Sequence, residues 1–227
     1  MRLLLCSDFS NVGYKYLSRF GKNLKNKNCL FVGYAQEDKY ELDSSAAKKL
    51  KQCGLNLISL DKNYDFHDKI DMIFVRGGNT TMLIDKLREY KQFEKIKQMA
   101  RSGVIYVGNS AGAILVGEDT AWTLESEPYS VDLIKKYGKN ALFGFEFVKK
   151  RILVHCSRYR FCRDYERTSD EDLFRVENKE LYSAYLNEKK GLKKDEYIKI
   201  GNNQVYFVDG EKQKIITFDW KHFPVKI

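Results

Sequence analysis

The sequence has few of the residues that staple or interrupt a chain, with two prolines and five cysteines among 227 residues. The cysteines are odd in number and scattered, without C-x-x-C spacing, so the sequence predicts neither a disulfide framework nor a metal site. A chain of this length buries roughly 70–75% of its extended-chain surface and needs no such staple. We therefore expect a single domain over residues 1–227.

Long hydrophobic runs are also absent. No stretch approaches a membrane span, which needs about 18 apolar residues. The apolar run at residues 3–6 is too short for a signal peptide, and an acidic residue follows it at position 8. We therefore expect a cytoplasmic protein that has no membrane partner.

The chain carries an excess of positive charge, with a formal net charge of +9. Such a charge is compatible with a nucleic-acid partner. The lysines are nevertheless dispersed and interleaved with acidic residues, which is typical of a solvated surface. We therefore expect no nucleic-acid partner.

Residues 1–120 alternate short apolar segments with longer amphipathic ones. The pattern predicts strands over residues 2–6, 29–33, 55–60, 71–75 and 104–107, and helices over residues 12–24, 42–53, 80–89 and 92–102. Nearly all-apolar strands separated by helices are typical of a parallel sheet covered on both faces. Near the C-terminus, turns at 201–203 and 209–211 separate short strand-like segments and predict antiparallel hairpins.

The most informative segment is Gly108–Gly112, which reads G-x-S-x-G directly after the apolar run at residues 103–107. A strand that enters this pentapeptide, followed by small apolar residues, predicts a sharp strand-to-helix turn around Ser110. The small residues leave room beside the backbone, and the turn lifts the hydroxyl out of the sheet edge. The segment predicts a serine hydrolase, although the same pentapeptide also occurs as an ordinary tight turn.

A serine nucleophile needs a base to take its proton, and the usual base is histidine. The chain has three histidines: His67 in a polar loop, His222 near the C-terminus, and His155 directly after the apolar run at residues 152–154. A strand end can hold His155 at the same sheet edge as Ser110. We therefore predict that His155 is the base.

The base in turn needs a carboxylate to fix its tautomer. Glu188 ends the strand-like segment at residues 183–187, whereas Glu125 and Glu127 lie in a loop that follows the serine. A strand end holds a side chain more firmly than a loop does. Glu188 is therefore the first candidate, and Glu125 and Glu127 stay alternatives.

Acyl transfer also needs two amide donors for the oxyanion. Ala111 supplies one because it follows the nucleophile. We expect the second from the glycine pair after the strand at residues 71–75, with Gly78 as the donor. Asn79 or Thr80 can cap the helix that follows.

These segments together resemble the peptidase E family. The resemblance rests on R-G-G-N-T at residues 76–80, on G-N-S-A-G-A at residues 108–113, on the strand that ends in His155, and on Asn187-Glu188. It spans nearly the whole chain in order and spacing. Peptidase E enzymes are cytoplasmic serine peptidases that are related to cyanophycinase and have a class I glutamine amidotransferase-like fold.

The resemblance implies an α/β fold, a three-layer sandwich around a mainly parallel central sheet. It implies that Ser110 is the nucleophile and His155 the base, with the third residue at Glu188 or at one of the two earlier glutamates. It implies a small-peptide substrate, dipeptides that begin with aspartate, and no metal or organic cofactor. The family usually has a proline before its histidine and an aromatic residue after it, where this chain has Val154 and Cys156.

A substrate aspartate calls for a partner of opposite charge. The planar guanidinium of arginine binds carboxylate in a bidentate way, and the segment after His155 is rich in arginine. Our candidates for substrate binding are Asn79, Arg158 and Arg160, with Arg163 and Arg167 as further possibilities.

Two other functions share this fold. A glutamine amidotransferase domain needs a cysteine thiolate at the position of Ser110. The second is a non-catalytic or differently specific binding protein that retains the fold. If this alternative is right, we expect His155 to lie far from Ser110. The sequence leaves open whether the chain is a monomer or a homodimer.

Overall fold

The computed structural model describes residues 1–21, 24–37, 41–120, 130–155 and 197–218. Its strands are β1 (Arg2–Cys6), β2 (Asn28–Val32), β3 (Asn56–Ser59), β4 (Met72–Val75), β5 (Ile105–Asn109), β6 (Arg151–Leu153), β7 (Tyr197–Lys199), β8 (Gln204–Asp209) and β9 (Lys212–Thr217). Its α-helices are α1 (Ser45–Gln52), α2 (Thr80–Glu89), α3 (Phe93–Arg101), α4 (Ala111–Ile114) and α5 (Ser130–Tyr137). Short 3₁₀ segments cover Gly13–Phe20, Glu41–Asp43 and Lys139–Leu142.

A seven-stranded sheet with the order β3-β2-β4-β5-β1-β8-β9 forms the centre of the molecule. The five strands from β3 to β1 pair in parallel, whereas β8 pairs antiparallel with β1 and β9 antiparallel with β8. Strands β6 and β7 form a separate two-stranded sheet. The predicted α/β class with a mainly parallel sheet and antiparallel C-terminal strands is therefore confirmed.

Both faces of the sheet are covered because side chains alternate along each buried strand. In β1, Leu3 and Leu5 face one apolar cluster, and Leu4 and Cys6 face the other; all four are buried. The first cluster includes the buried faces of α2, α3 and α5, and the second includes α1 and the 3₁₀ segment at Gly13–Phe20. Two helical layers thus enclose one sheet, as the three-layer prediction required.

The prediction of a helix over residues 12–24 is wrong. The structure has an eight-residue 3₁₀ segment there instead, Gly13–Phe20, which ends at Gly21. The segment starts directly under β1, and a Cβ on Gly13 would lie 2.6 Å from Cys6 Sγ. The close packing of this segment on the sheet goes together with the i→i+3 hydrogen bonds of a 3₁₀ helix. One of them is donated by Lys15 N–H to Val12 O. Tertiary packing here overrides the helical periodicity.

The predicted hairpins near the C-terminus are right for one turn and wrong for the other. β8 and β9 pair across Gly210 and Glu211, as expected. β7 pairs in parallel with β6 rather than with β8. The turn at residues 201–203 therefore connects strands of two different sheets.

Candidate active site

Three neighbouring strands end at the same place on the sheet. Gly108 of β5 is in register with Leu5 of β1 on one side and with Val75 of β4 on the other. The residues that follow these strands therefore meet at one edge, where parallel α/β sheets bind their ligands. Ser110 follows β5 at this edge, with the glycine turn after β4 beside it.

Ser110 occupies a strained backbone conformation between β5 and α4. Its φ of 48° and ψ of −109° are unusual for a residue with a side chain, and such conformations cost about 1–3 kcal/mol each. The turn is held from both sides: Ser110 N–H donates to Cys6 O at 2.8 Å, and Ser110 O accepts from Ala113 N–H at 2.8 Å. The predicted strand-to-helix turn is present.

The two glycines of the pentapeptide are required by backbone packing. A Cβ on Gly108 would lie 2.5 Å from Gly112 O, and a Cβ on Gly112 would lie 2.3 Å from Val75 O. Helix α4 thus rests directly on β4 and β5, with no side chain between. The buried hydroxyl of Tyr106 donates to Gly112 O at 2.7 Å and secures this contact.

His155 lies next to Ser110 although 45 positions separate them in the sequence. Its Nε2 is 2.9 Å from Ser110 Oγ. The backbone N–H of His155 donates to Ser7 Oγ at 2.8 Å, and that hydroxyl donates to Ile200 O at 2.8 Å. Ser7 follows β1, so the sheet edge that carries Ser110 also holds the backbone of His155, whose φ is 58°.

Asn202 is a site residue that the sequence analysis missed. Its Oδ1 lies 3.1 Å from His155 Nδ1. The sequence predicts a turn at Gly201–Asn203, and the usual partner of a catalytic histidine is a carboxylate rather than an amide. An amide in a turn carried no signal that it would meet the histidine.

The glycine pair after β4 lies against the nucleophile. A Cβ on Gly77 would be 2.9 Å from Ser110 Cβ, and Gly78 has a φ of 145°. Ala111, the other predicted oxyanion donor, is the first residue of α4, where helix amides have no carbonyl partner within the helix. Asn79 caps α2, because its Oδ1 accepts from Met82 N–H at 2.7 Å. Its predicted contact with substrate stays a prediction.

Several predicted site residues lie outside the described residues: Glu125, Glu127, Arg158, Arg160, Arg163, Arg167 and Glu188. Their assigned roles stay predictions, and His222 also lies outside. His67 is highly exposed, with its Nε2 3.4 Å from Asp65 Oδ2. Of the two histidines that the structure describes, His155 is the one beside Ser110.

The described turn lacks the cysteine thiolate that a glutamine amidotransferase uses as its nucleophile. Position 110 is serine, and burial raises the pKa of the Cys6 thiol well above its usual range. Burial does the same to the pKa of Cys29. Both thiols stay protonated, and a protonated thiol is a poor nucleophile.

Among the residues that the structure describes, no three His, Cys, Asp or Glu side chains lie together in the arrangement of a metal site. None of the helices in this part of the chain combines the length and the apolar character that a membrane span needs.

Fold and site together define an α/β protein with the serine–histidine pair that serine hydrolases use, at the carboxyl edge of a mainly parallel sheet. The chain belongs to peptidase family S51, whose family model matches residues 3–216. The predicted family is therefore confirmed.

Proteins that are similar in sequence carry peptidase names. A peptidase E of Haemophilus influenzae is 30% identical over 133 residues, which cover 54% of this chain and 61% of that protein. An uncharacterized peptidase of Listeria innocua is 30% identical over 153 residues, 63% of this chain and 73% of that protein. The match thus spans about three fifths of the Haemophilus relative.

Two solved structures share the fold. A Listeria monocytogenes protein solved as a candidate peptidase E superposes with a TM-score of 0.68 at 21% identity, covering 96% of this chain and 98% of the other. A peptidase from an acI-B1 actinobacterium superposes with a TM-score of 0.58 at 13% identity, covering 95% and 87%. These likenesses concern the fold alone.

Proposed function

We propose that this protein is a serine peptidase that hydrolyses small peptides, including dipeptides that begin with aspartate, through an acyl-enzyme on Ser110. The observation that carries the proposal is the 2.9 Å contact between Ser110 Oγ and His155 Nε2. A nucleophile and a base within hydrogen-bond distance are the core of such catalysis. The binding-protein alternative predicted a large separation of these side chains.

In the first half of the reaction Ser110 Oγ attacks the carbonyl carbon of the scissile bond, and His155 Nε2 takes the hydroxyl proton. The amides of Gly78 and Ala111 donate to the oxyanion that forms. The tetrahedral intermediate then collapses, the C–N bond breaks, and His155 gives its proton to the leaving amine.

In the second half a water molecule attacks the ester carbonyl of the acyl-enzyme. His155 takes a proton from this water, and the same amides hold the second oxyanion. When the C–O bond to Ser110 breaks, His155 returns the proton to Oγ, and the peptide fragment leaves as a free acid. The cycle is balanced without a metal or an organic cofactor.

The proposed substrate class rests on the relatives and on charge. Sequence relatives are named peptidase E, and arginines follow His155 in the sequence. We assign Arg158 and Arg160 to the side-chain carboxylate of a substrate aspartate, since a guanidinium pairs with carboxylate in two hydrogen bonds. Replacing either by alanine is expected to raise KM for Asp-containing dipeptides more than for neutral ones.

The decisive experiment compares wild-type protein with Ser110→Ala and His155→Ala. We measure hydrolysis of Asp-containing dipeptides and covalent labelling by a fluorophosphonate probe. Both variants should lose at least about 10⁴-fold in kcat, because members of such a unit fail together. Ser110→Ala should also lose the label entirely.

The matched controls are Ser102→Ala and His67→Ala, which change exposed residues away from the sheet edge. Both should retain wild-type rates. Labelling that persists in Ser110→Ala would contradict the proposal. Ammonia release from glutamine without peptide hydrolysis would instead favour the amidotransferase alternative.

A further inference from the structure

We propose that Asn202 is the positioning residue of His155, so that the working unit is Ser110–His155–Asn202 with an amide where a carboxylate was expected. This inference rests on the proposed function. It concerns how His155 is held and not whether Ser110 reacts. The juxtaposition of Asn202 Oδ1 and His155 Nδ1 at 3.1 Å carries it.

The hydrogen-bond chain fixes the histidine tautomer. Asn202 Oδ1 has no hydrogen and can only accept, so His155 Nδ1 must donate. Nε2 of the neutral ring then carries a lone pair, and it accepts the hydroxyl proton of Ser110 across 2.9 Å. This is the tautomer that a general base needs. The single hydrogen on Nδ1 is therefore committed to Asn202.

Asn202 itself is exposed, but the residues beside it are fixed to the core of the site. Ile200 N–H donates to Leu153 O at 2.8 Å, which ties the turn to strand β6 two residues before His155. Ile200 O accepts from Ser7 Oγ, the hydroxyl that also accepts from His155 N–H. Ser7 thus links the backbone of the histidine to the backbone of the turn that carries its partner.

The turn is also closed within itself. Gly201 N–H donates to Gln204 Oε1 at 2.9 Å, and Gln204 N–H donates to Gly201 O at 3.0 Å. Two backbone-anchored points therefore flank Asn202. The side chain of Asn202 can therefore orient the imidazole of His155 although it is itself exposed.

An amide and a carboxylate differ in charge, and this difference gives a test. Among the described residues, the side chains that bond the ring of His155 are those of Ser110 and Asn202, both neutral. The nearest charged residues along the contacting segments are Asp8, after Ser7, and Lys199, before Ile200. A carboxylate at position 202 would favour the protonated ring, and the base would become available only at higher pH.

The first experiment measures the rate at which a fluorophosphonate probe labels Ser110 in the full chain. Asn202→Ala should lower this rate and kcat for Asp-containing dipeptides by about 10–100-fold, part of the 10²–10⁴-fold that a general base supplies. KM should stay unchanged. Asn203→Ala, its exposed neighbour in the same turn, should label at the wild-type rate.

The second experiment follows the pH dependence of labelling in Asn202→Asp. This variant should recover most of the rate on the alkaline side, with the acid limb of the profile moved to higher pH by about one unit or more. A structural role for the turn would not move that limb. An unmoved limb, or wild-type labelling by Asn202→Ala, would overturn the proposal.

Failure of this inference is distinguishable from failure of the proposed function. If the wild-type protein neither labels nor hydrolyses peptides, the proposed peptidase is wrong. If it does both and Glu188→Gln loses the rate while Asn202→Ala retains it, the peptidase stands and the positioning residue is the glutamate.

Discussion

At the scale of the residue, glycines shape the site as much as its functional groups do, because they have no Cβ. Gly77 lies against Ser110, and Gly108 and Gly112 let α4 rest on the strands. Gly78 is the most constrained, because a Cβ there would lie 2.1 Å from Ala35 O. Its backbone conformation, with φ at 145°, is also one that side chains rarely adopt.

Gly78→Ala is therefore expected to damage both folding and reactivity. The added Cβ must push away the Ala35 carbonyl, which also accepts from Asn79 N–H at 2.8 Å. We expect a loss of about 3 kcal/mol or more in the free energy of unfolding. We expect at least about 10²-fold slower turnover, because an oxyanion donor moves. Denaturant unfolding and dipeptide hydrolysis measure the two effects.

Gly103→Ala is the matched control. Gly103 also has a positive φ, 107°, but a Cβ there would meet nothing within 4 Å. The control isolates backbone strain, which costs about 1–3 kcal/mol, and should leave turnover unchanged. Equal losses in the two variants would mean that the Ala35 contact has no role.

At the scale of the element, a side chain next to one strand holds the start of the neighbouring strand. Asp71 precedes β4 and bonds the start of β2: its carboxylate accepts from Asn28 N–H at 3.0 Å and from Lys27 Nζ at 3.0 Å. Burial alone would raise the pKa of Asp71, but these donors and the nearby lysines hold that pKa below its ordinary value. The charged form therefore stabilises the folded state.

The pH dependence of stability should reveal this contact. With the folded-state pKa lowered, the contribution is present above the unfolded-state value of about 3.9 and is lost as pH falls through the folded-state pKa. We expect Asp71→Asn to reduce the free energy of unfolding by roughly 1 kcal/mol near pH 7. Its difference from the wild type should shrink below about pH 4.

Urea unfolding of wild type and variant between pH 3 and pH 7 checks this expectation. Glu211→Gln, in the exposed turn between β8 and β9, is the control and should track the wild type throughout. A difference that stays constant over the whole range would contradict the assignment to the Asp71 charge.

At the scale of the whole molecule, a buried ion pair ties the chain after α4 to the strand that leads to His155. Arg151 Nε donates to both carboxylate oxygens of Asp119, at 2.9 and 3.0 Å. Asp119 is fully buried and Arg151 is 4% exposed. The pair is costly to break, because either partner alone would be an uncompensated buried charge.

Asp119→Ala is expected to reduce the free energy of unfolding by about 3–5 kcal/mol. The double variant Asp119→Leu with Arg151→Met should be more stable than Asp119→Ala, because it buries no unpaired charge. Thermal and denaturant unfolding measure both. Glu89→Ala, which removes an exposed ion pair with Lys86, should change stability by less than about 0.5 kcal/mol. A double variant no more stable than Asp119→Ala would contradict the charge argument.

The apolar strands of the parallel sheet and the turn at Ser110 could be predicted from the amino-acid sequence alone. Buried parallel strands read as short apolar runs because both faces are covered, and β1, β4 and β5 lie where those runs are. The turn at Ser110 was visible because only glycine tolerates the backbone contacts made at positions 108 and 112. The glycines that these contacts require are themselves visible in the sequence, even where the contacting atom, such as Val75 O, lies far along the chain.

Features that depend on which strands become neighbours could be recognised only in the folded structure. The pairing of β7 with β6, rather than with β8, is such a case, and so is the 3₁₀ segment under β1. The contact of His155 with Asn202 joins residues 47 positions apart. No local pattern predicts such a contact, because it depends on the pairing of β6 with β7, which places the segments that follow these two strands side by side.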